Sequence, residues 1–107
     1  MKYALFIVLL LLAACSAPAV PSATTKVDNL VTITNFKFNP PTVTIKVGQT
    51  VEWKNEDSAS HIVNLPGASS HELFKGESWA FQFTEPGTYN YACGIHPSMK
   101  GSIIVEA

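Results

Sequence analysis

Apolar and polar residues alternate along much of the chain after residue 28. Residues 43–47 have the sequence VTIKV, and Gly48 follows as a turn residue. Residues 101–105 form a second apolar segment, GSIIV, near the C-terminus. Every second side chain of a β-strand faces the same side, so a period of two predicts strands that bury one face.

Several other short segments have the same character. Val31 and Ile33 open the first of them, and we assign Phe36 to its end. Turn residues separate the segments, as in residues 85–87 (EPG). The remaining predicted strands include residues 51–53, 62–63, 79–83 and 88–92. About seven or eight short strands without a sustained helical period predict an all-β fold, a two-sheet β-sandwich.

The first residues have the pattern of an export signal. Lys2 precedes an apolar run over residues 3–14, which is too short to span a bilayer comfortably. Residues 12–15 (LAAC) resemble the lipobox of bacterial lipoproteins. That resemblance implies cleavage before Cys15 and attachment of a diacylglyceryl group to its sulfur. We therefore expect residues 1–14 to be a lipoprotein signal peptide.

A lipid on Cys15 would anchor the protein to a bacterial membrane, facing the periplasm or the cell exterior. The alternative is ordinary secretion, with cleavage near Ala17 or Ala19 and no lipid. The cysteine stands where the apolar run ends and processing must occur, which favours the lipoprotein.

Residues 15–27 follow as a segment built mainly from Ala, Pro, Ser, Thr and Val. This composition is typical of a solvated, partly stiff tether. An extra edge strand is the other interpretation, and Pro18 and Pro21 disfavour it. The tether would hold residues 28–107, one domain with one core, away from the membrane.

The candidate chemistry is concentrated in a short C-terminal segment. Cys93, His96 and Met99 follow one another at three-residue intervals between two predicted strands, and His61 lies far upstream. Each residue alone is more often core filler or a surface residue. Thiolate and thioether suit Cu(I) while imidazole suits Cu(II), so the four together predict a copper site that holds both oxidation states.

Two cysteines in an exported protein would ordinarily suggest a disulfide. A lipidated Cys15 is blocked, which leaves Cys93 as a free thiol in an oxidising compartment. Metal ligation would protect Cys93 as a bound thiolate.

Composition and motifs disfavour several other functions. The formal net charge is −1, and no basic patch suggests nucleic acid binding. The sequence shows no obvious acid-base pair, phosphate-binding loop or Ser-His-Asp arrangement. His71 lies in a polar segment and is interpreted as a surface residue.

At this point the chain resembles the cupredoxins, the small blue copper proteins. The matching N-terminal positions are Phe36, Phe38, Pro40, Val43, Ile45, Val47, Gly48, Val51, Trp53 and Asn55. The resemblance implies a Greek-key β-sandwich that binds one copper ion per chain through His61, Cys93, His96 and Met99. It also implies a buried His61 and a His96 that reaches the surface near Ile95, Pro97 and Pro66, although loop packing is an equally good interpretation for Pro66.

The ligand loop is closest to the amicyanin branch, because two residues separate His96 from Met99. Two positions depart from the common pattern. Ile62 follows the first histidine where many members have asparagine, and Ile95 stands where amicyanins commonly have proline. Residues next to the ligands tune the reduction potential of the metal, so the value for a relative cannot be transferred to this chain.

Three function classes follow from this interpretation. The first is a monomeric protein that carries single electrons between a donor and an acceptor protein, neither of which the sequence identifies. The second is a copper-binding or copper-delivery protein, for which runs of Met or His would be expected. The third is an enzyme, which would need an open coordination position or further copper centres. The sequence favours the electron carrier.

Overall fold

Two β-sheets make up residues 27–107, the part of the chain that this computed structural model describes. These residues contain nine strands and no helix, and hence no helix that could cross a membrane. The strands are β1 (Asn29–Thr34), β2 (Lys37–Asn39), β3 (Thr42–Lys46), β4 (Thr50–Asn55), β5 (Val63–Leu65), β6 (Ala68–Ser69), β7 (Ser78–Gln82), β8 (Gly87–Cys93) and β9 (Lys100–Glu106). The predicted signal peptide and most of the predicted tether lie outside the described residues.

The strand order is that of a Greek-key sandwich, which confirms the predicted fold class. One sheet has the order β2-β1-β4-β7 and the other β3-β9-β8-β5-β6. The pairs β1–β4 and β3–β9 are parallel, while the other pairs are antiparallel. Since the chain passes repeatedly between the sheets, residues far apart in sequence meet at one end of the sandwich.

The core follows the period of two. In β3, Val43 and Ile45 are buried while the residues between them are exposed, and in β9 Ile103 and Val105 are buried in the same way. The buried faces of both sheets meet in a single apolar cluster. The alternating pattern therefore predicted which side chains form the core.

Phe36 is an exception to this pattern. It lies in the turn between β1 and β2, not in the first strand, and its side chain is 51% exposed. Asn35 and Phe36 both have positive φ angles, of 52° and 56°. The assignment of Phe36 to a strand was therefore wrong, because the chain reverses immediately after Thr34.

One polar contact in the core joins the two sheets. The Trp53 indole Nε1–H of β4 donates a hydrogen bond of 3.1 Å to the Tyr91 hydroxyl of β8. Burial raises the pKa of Tyr91 to about 12, so its hydroxyl is neutral at physiological pH. Because the indole N–H and the hydroxyl pair with each other, two large aromatic residues are buried without an unpaired polar atom.

Gly101 makes room for this contact. It pairs with Tyr91 across β8 and β9, and a Cβ added at Gly101 would lie 2.4 Å from Cζ of the Tyr91 ring. The ring cannot move away freely, because Trp53 holds its hydroxyl. A residue without a side chain is therefore required at position 101.

We predict that Gly101→Ala lowers the free energy of unfolding by about 1–3 kcal/mol, the usual range for overpacking. Chemical denaturation of the variant and the parent protein measures the difference. Ser102→Ala is the matched control, because it changes the next residue, whose hydroxyl hydrogen-bonds Asn90 at the surface. Equal losses for the two variants would contradict a steric requirement at Gly101.

Candidate metal centre

The C-terminal candidate residues lie on one short loop between β8 and β9. Cys93 is the last residue of β8, and Lys100 is the first of β9. The Cys93 amide donates to the Met99 carbonyl at 3.0 Å, and the Met99 amide donates to the His96 carbonyl at 2.9 Å. These bonds close the loop on itself, so the three-residue spacing becomes a compact turn with little freedom.

His61 reaches the same place from a different segment. It lies just before β5 and forms an isolated antiparallel bridge with Leu73, with backbone bonds in both directions. The antiparallel pairing of β5 with β8 sets Val63 opposite Cys93. His61 is thus held beside the ligand loop although 31 residues separate it from Cys93 along the chain.

Three donor atoms converge at this end of the sandwich. Cys93 Sγ lies 3.7 Å from His61 Nδ1 and 3.8 Å from His96 Nδ1, and all three atoms lie within 4.8 Å of one another. They form the only group of three or more His, Cys, Asp or Glu donors with metal-binding spacing within residues 27–107. Cys93 is buried and forms no disulfide among these residues.

The donor separations fit a single metal ion. A metal–sulfur bond of about 2.3 Å and a metal–nitrogen bond of about 2.0 Å, at about 120°, place sulfur and nitrogen about 3.7 Å apart. Two imidazoles and one thiolate in a trigonal set are the donors of copper electron-transfer sites. The residues present therefore suit copper in both of its common oxidation states.

Met99 is the fourth predicted ligand. Its side chain is buried with 4% exposure, and its backbone closes the ligand loop. The structure thus places Met99 at the C-terminal end of the loop that carries Cys93 and His96. Its role as a weak axial ligand stays a prediction.

Asp57 connects His61 to the neighbouring turn. Its carboxylate lies 2.9 Å from His61 Nε2, and it accepts hydrogen bonds from the backbone amides of Asn35 and Phe36 at 2.7 and 2.9 Å. Burial alone would raise the pKa of Asp57, but these three hydrogen bonds hold it below its usual 3.8. A carboxylate only accepts, so Nε2 of His61 carries the proton and Nδ1 is left free as a metal donor.

Phe36 covers both histidines. Its ring meets His61 edge-on at a centroid distance of 5.3 Å and His96 at 5.2 Å, with interplanar angles of 87° and 89°. The left-handed turn that places it there is unfavourable for a residue with a Cβ, and the bonds to Asp57 offset that cost. Asp57 therefore fixes both His61 and the aromatic residue above it.

The sequence analysis missed the roles of Asp57 and Phe36. Asp57 was given no role at the site, although its position four residues before His61 was a usable signal. Phe36 was assigned to a strand. Neither contact follows from periodicity, because each joins segments that only the folded sandwich brings together.

Ile62 directly follows His61, at the position where many cupredoxins have asparagine. Its backbone amide lies 3.5 Å from Cys93 Sγ, and its carbonyl accepts a 2.9 Å bond from the Gly94 amide. Its side chain packs on Gly94, where an added Cβ would lie 3.2 Å from Ile62 Cγ2. Backbone bonds and apolar packing therefore join the two ligand segments at this position.

The histidines differ in exposure as the resemblance implied. His61 is fully buried and His96 is half-buried, with Ile95 and Pro97 exposed beside it. Pro66 lies instead beyond the far end of β5, next to Asn90 and Tyr91. It does not belong to this surface. His71 is exposed, as predicted.

A Greek-key sandwich with two histidines and one cysteine converging at one end defines a class of small, single-metal β-sandwich proteins. The sequence matches the profile of the Cupredoxin-like domain over residues 4–105. The chain belongs to the cupredoxin-like family.

Individual relatives agree with this assignment. Amicyanin-alpha of Methylorubrum extorquens is 34% identical over 93 residues, which cover 80% of this chain and 75% of the relative. A plastocyanin of Scenedesmus fuscus is 38% identical over 84 residues, which cover 64% of this chain and 86% of the relative. The chain spans between 64% and 75% of the length of three amicyanins to which it is similar.

A solved structure extends the agreement to three dimensions. The reduced Cu(I) form of an amicyanin mutant superposes with a TM-score of 0.69 at 34% identity, over 72% of this chain and 80% of that chain. Together with the donor set, these relatives identify the cofactor as copper, one ion per chain.

We predict that Asp57→Asn weakens copper binding about 10- to 100-fold, the usual effect of losing a group that orients a metal-bound histidine. The asparagine amide has a single acceptor oxygen, so it cannot satisfy His61 and both backbone amides. Competition with a chromophoric copper chelator measures the affinity, and circular dichroism checks the fold.

Glu56→Gln is the matched control for Asp57→Asn. It neutralises the adjacent carboxylate, which is exposed and pairs with Lys54 at 3.3 Å. We expect its copper affinity to equal that of the parent protein. If Asp57→Asn also leaves the affinity unchanged, Asp57 does not position His61.

Proposed function

We propose that this protein carries single electrons between a donor and an acceptor protein through one type 1 copper centre. The observation that supports this proposal most directly is the convergence of His61 Nδ1, Cys93 Sγ and His96 Nδ1 at one end of a rigid sandwich. The copper supplies a one-electron Cu(I)/Cu(II) couple when bound. We assign His61, Cys93 and His96 as its strong ligands and Met99 as the weak axial ligand.

The surrounding residues act by keeping the ligands still. The backbone bonds within the ligand loop fix Cys93 and Met99, while Asp57 fixes the tautomer and orientation of His61. Donors that move little when the charge of the site changes keep the reorganisation energy small. The Ile62 amide points towards Cys93 Sγ and adds a favourable contact for a thiolate.

Electrons would enter and leave through the His96 side of the centre. His61 and Cys93 are buried at 0% and 2% exposure, whereas His96 is half-buried. A partner that contacts the surface around His96 therefore comes closest to the copper. We expect the domain to act as a monomer.

Two other functions fit the site less well. A copper-delivery protein needs metal that exchanges readily, but His61 and Cys93 are buried and Phe36 packs against both histidine rings. A copper enzyme needs an open coordination position for its substrate. With Met99 as the proposed axial ligand and Phe36 packed against both histidine rings, the centre would have no open position, so we propose that the protein is not an enzyme.

We further propose that the mature protein is a lipoprotein. The support is the sequence pattern alone: an apolar run over residues 3–14, Cys15 at its end, and a Pro-rich segment up to residue 27. Lipid on Cys15 would hold the copper domain, residues 28–107, near a membrane on the periplasmic or exterior side. The tether would let the domain reach partners on the same surface.

We predict that the full chain loaded with Cu(II) shows an intense blue charge-transfer band that is absent from Cys93→Ser. Ascorbate should bleach the band and an oxidant should restore it, because the thiolate–Cu(II) transition disappears in Cu(I). Visible absorption spectroscopy is the measurement. A weak band that is indifferent to Cys93→Ser would rule out the electron carrier and favour copper delivery.

We predict that Cys15→Ala releases the protein from the membrane fraction and removes its labelling by radioactive palmitate in a bacterial host. Cleavage near Ala17 or Ala19 would then remove the apolar run over residues 3–14, and no acyl chain would hold the domain at the membrane. Cys93→Ser is the control, since it removes the other cysteine and should leave both labelling and membrane association intact. Labelling that persists in Cys15→Ala would disprove lipidation at Cys15.

A further inference from the structure

A groove of about 600 Å³ lies beside the ligand loop. The turn after β1 and strand β2 form one wall, and the end of the ligand loop forms the other. It is lined by Thr34, Asn35, Phe36, Lys37, Phe38, Asn39, Pro41, Ser98, Met99 and Lys100. The groove therefore adjoins the metal centre and shares Met99 with the predicted ligand set.

The groove carries positive charge on an acidic domain. Residues 27–107 contain five lysines and eight acidic residues, a net charge of −3. Lys37 and Lys100 are exposed in the groove, none of its lining residues is acidic, and no salt bridge joins either lysine to a carboxylate within residues 27–107.

Two other lysines are neutralised by neighbours. Lys46 lies 3.8 Å from Glu106, and Lys54 lies 3.3 Å from Glu56. Lys75, the fifth lysine, is exposed outside the groove. Lys37 and Lys100 are thus the lysines without a salt bridge within residues 27–107 that share one concave surface. An acidic partner would be repelled by most of this domain and attracted to the groove.

The groove also lies next to the electron path. Phe36, which lines it, contacts the ring of His96 at a centroid distance of 5.2 Å and is 51% exposed. Met99 also lines the groove. A molecule seated in the groove would contact Phe36, whose ring contacts the proposed copper ligand His96.

We propose that this groove is the docking surface for a redox partner protein that presents exposed carboxylates. Those carboxylates would pair with Lys37 and Lys100 while an apolar group packs on Phe36. Charge complementarity would guide the partner to a surface next to Phe36 and the neighbouring His96, from which electron transfer is short. This inference rests on the proposed electron-carrier function.

The first test maps where an anion binds. Hexacyanochromate(III) is a redox-inert, paramagnetic trianion, so it broadens the NMR signals of nearby amides in the copper-loaded, Cu(I) full chain. We expect broadening at residues 35–39 and 98–100. The double variant Lys37→Gln with Lys100→Gln should weaken this binding about fivefold or more at low ionic strength.

The matched control is Lys46→Gln with Lys54→Gln, which changes the net charge equally at lysines outside the groove. It should leave the broadening in the groove unchanged. Equal weakening by the two double variants would mean that only net charge matters and would overturn the proposal. Broadening centred on other residues would overturn it as well.

A competition experiment distinguishes a protein partner from a membrane. A hexaglutamate peptide is the probe for a carboxylate-bearing surface, and phosphatidylglycerol vesicles are the probe for anionic headgroups. We expect the peptide to displace hexacyanochromate from the parent protein. Displacement by the vesicles and not by the peptide would assign the groove to the membrane surface and overturn the proposal.

Electron transfer to small oxidants links the groove to function. Ferricyanide, an anion, should oxidise the reduced parent protein faster than the groove double variant, whereas cationic tris(phenanthroline)cobalt(III) should show the opposite order. Equal rates for the two proteins with both oxidants would overturn the proposal. If the blue band is missing while the anion still maps to the groove, the proposed electron-carrier function fails instead.

Discussion

The backbone pairing between β5 and β8 is the constraint on which the metal centre depends. It sets Val63 opposite Cys93, and the bond from the Gly94 amide to the Ile62 carbonyl extends the contact past the end of the strands. His61 is thereby held against a loop that lies far along the chain. Backbone bonds in a ladder leave little freedom, so this pairing fixes the position of His61 relative to Cys93.

The carboxylate of Asp57 is the second constraint on the metal centre. One side chain orients His61 and holds two successive residues in a left-handed turn, which places the Phe36 ring over both histidines. The cost of that turn is offset locally, by two charge-assisted backbone bonds. The tautomer of His61 and the position of the Phe36 ring therefore both depend on the Asp57 carboxylate.

Sequence reasoning worked where one local pattern determines the outcome. The period of two located most strands and their buried faces, as in β3 and β9, because alternation is a property of a single strand. The three-residue spacing of Cys93, His96 and Met99 identified one loop for the same reason. Sequence reasoning failed at Phe36, which lies in a turn that the distant Asp57 carboxylate holds, and not in a continued strand.

The sequence by itself determined the fold class, the core positions and the kinds of donor atom available for copper. These depend on side-chain chemistry and on short-range periodicity, which can be read along the chain. Only the tertiary structure decided that Asp57 orients His61, that Phe36 covers the centre, and that Lys37 and Lys100 share a groove beside it. Each of these contacts joins segments from different strands or loops, and their distances follow from sheet order and register, which no local pattern contains.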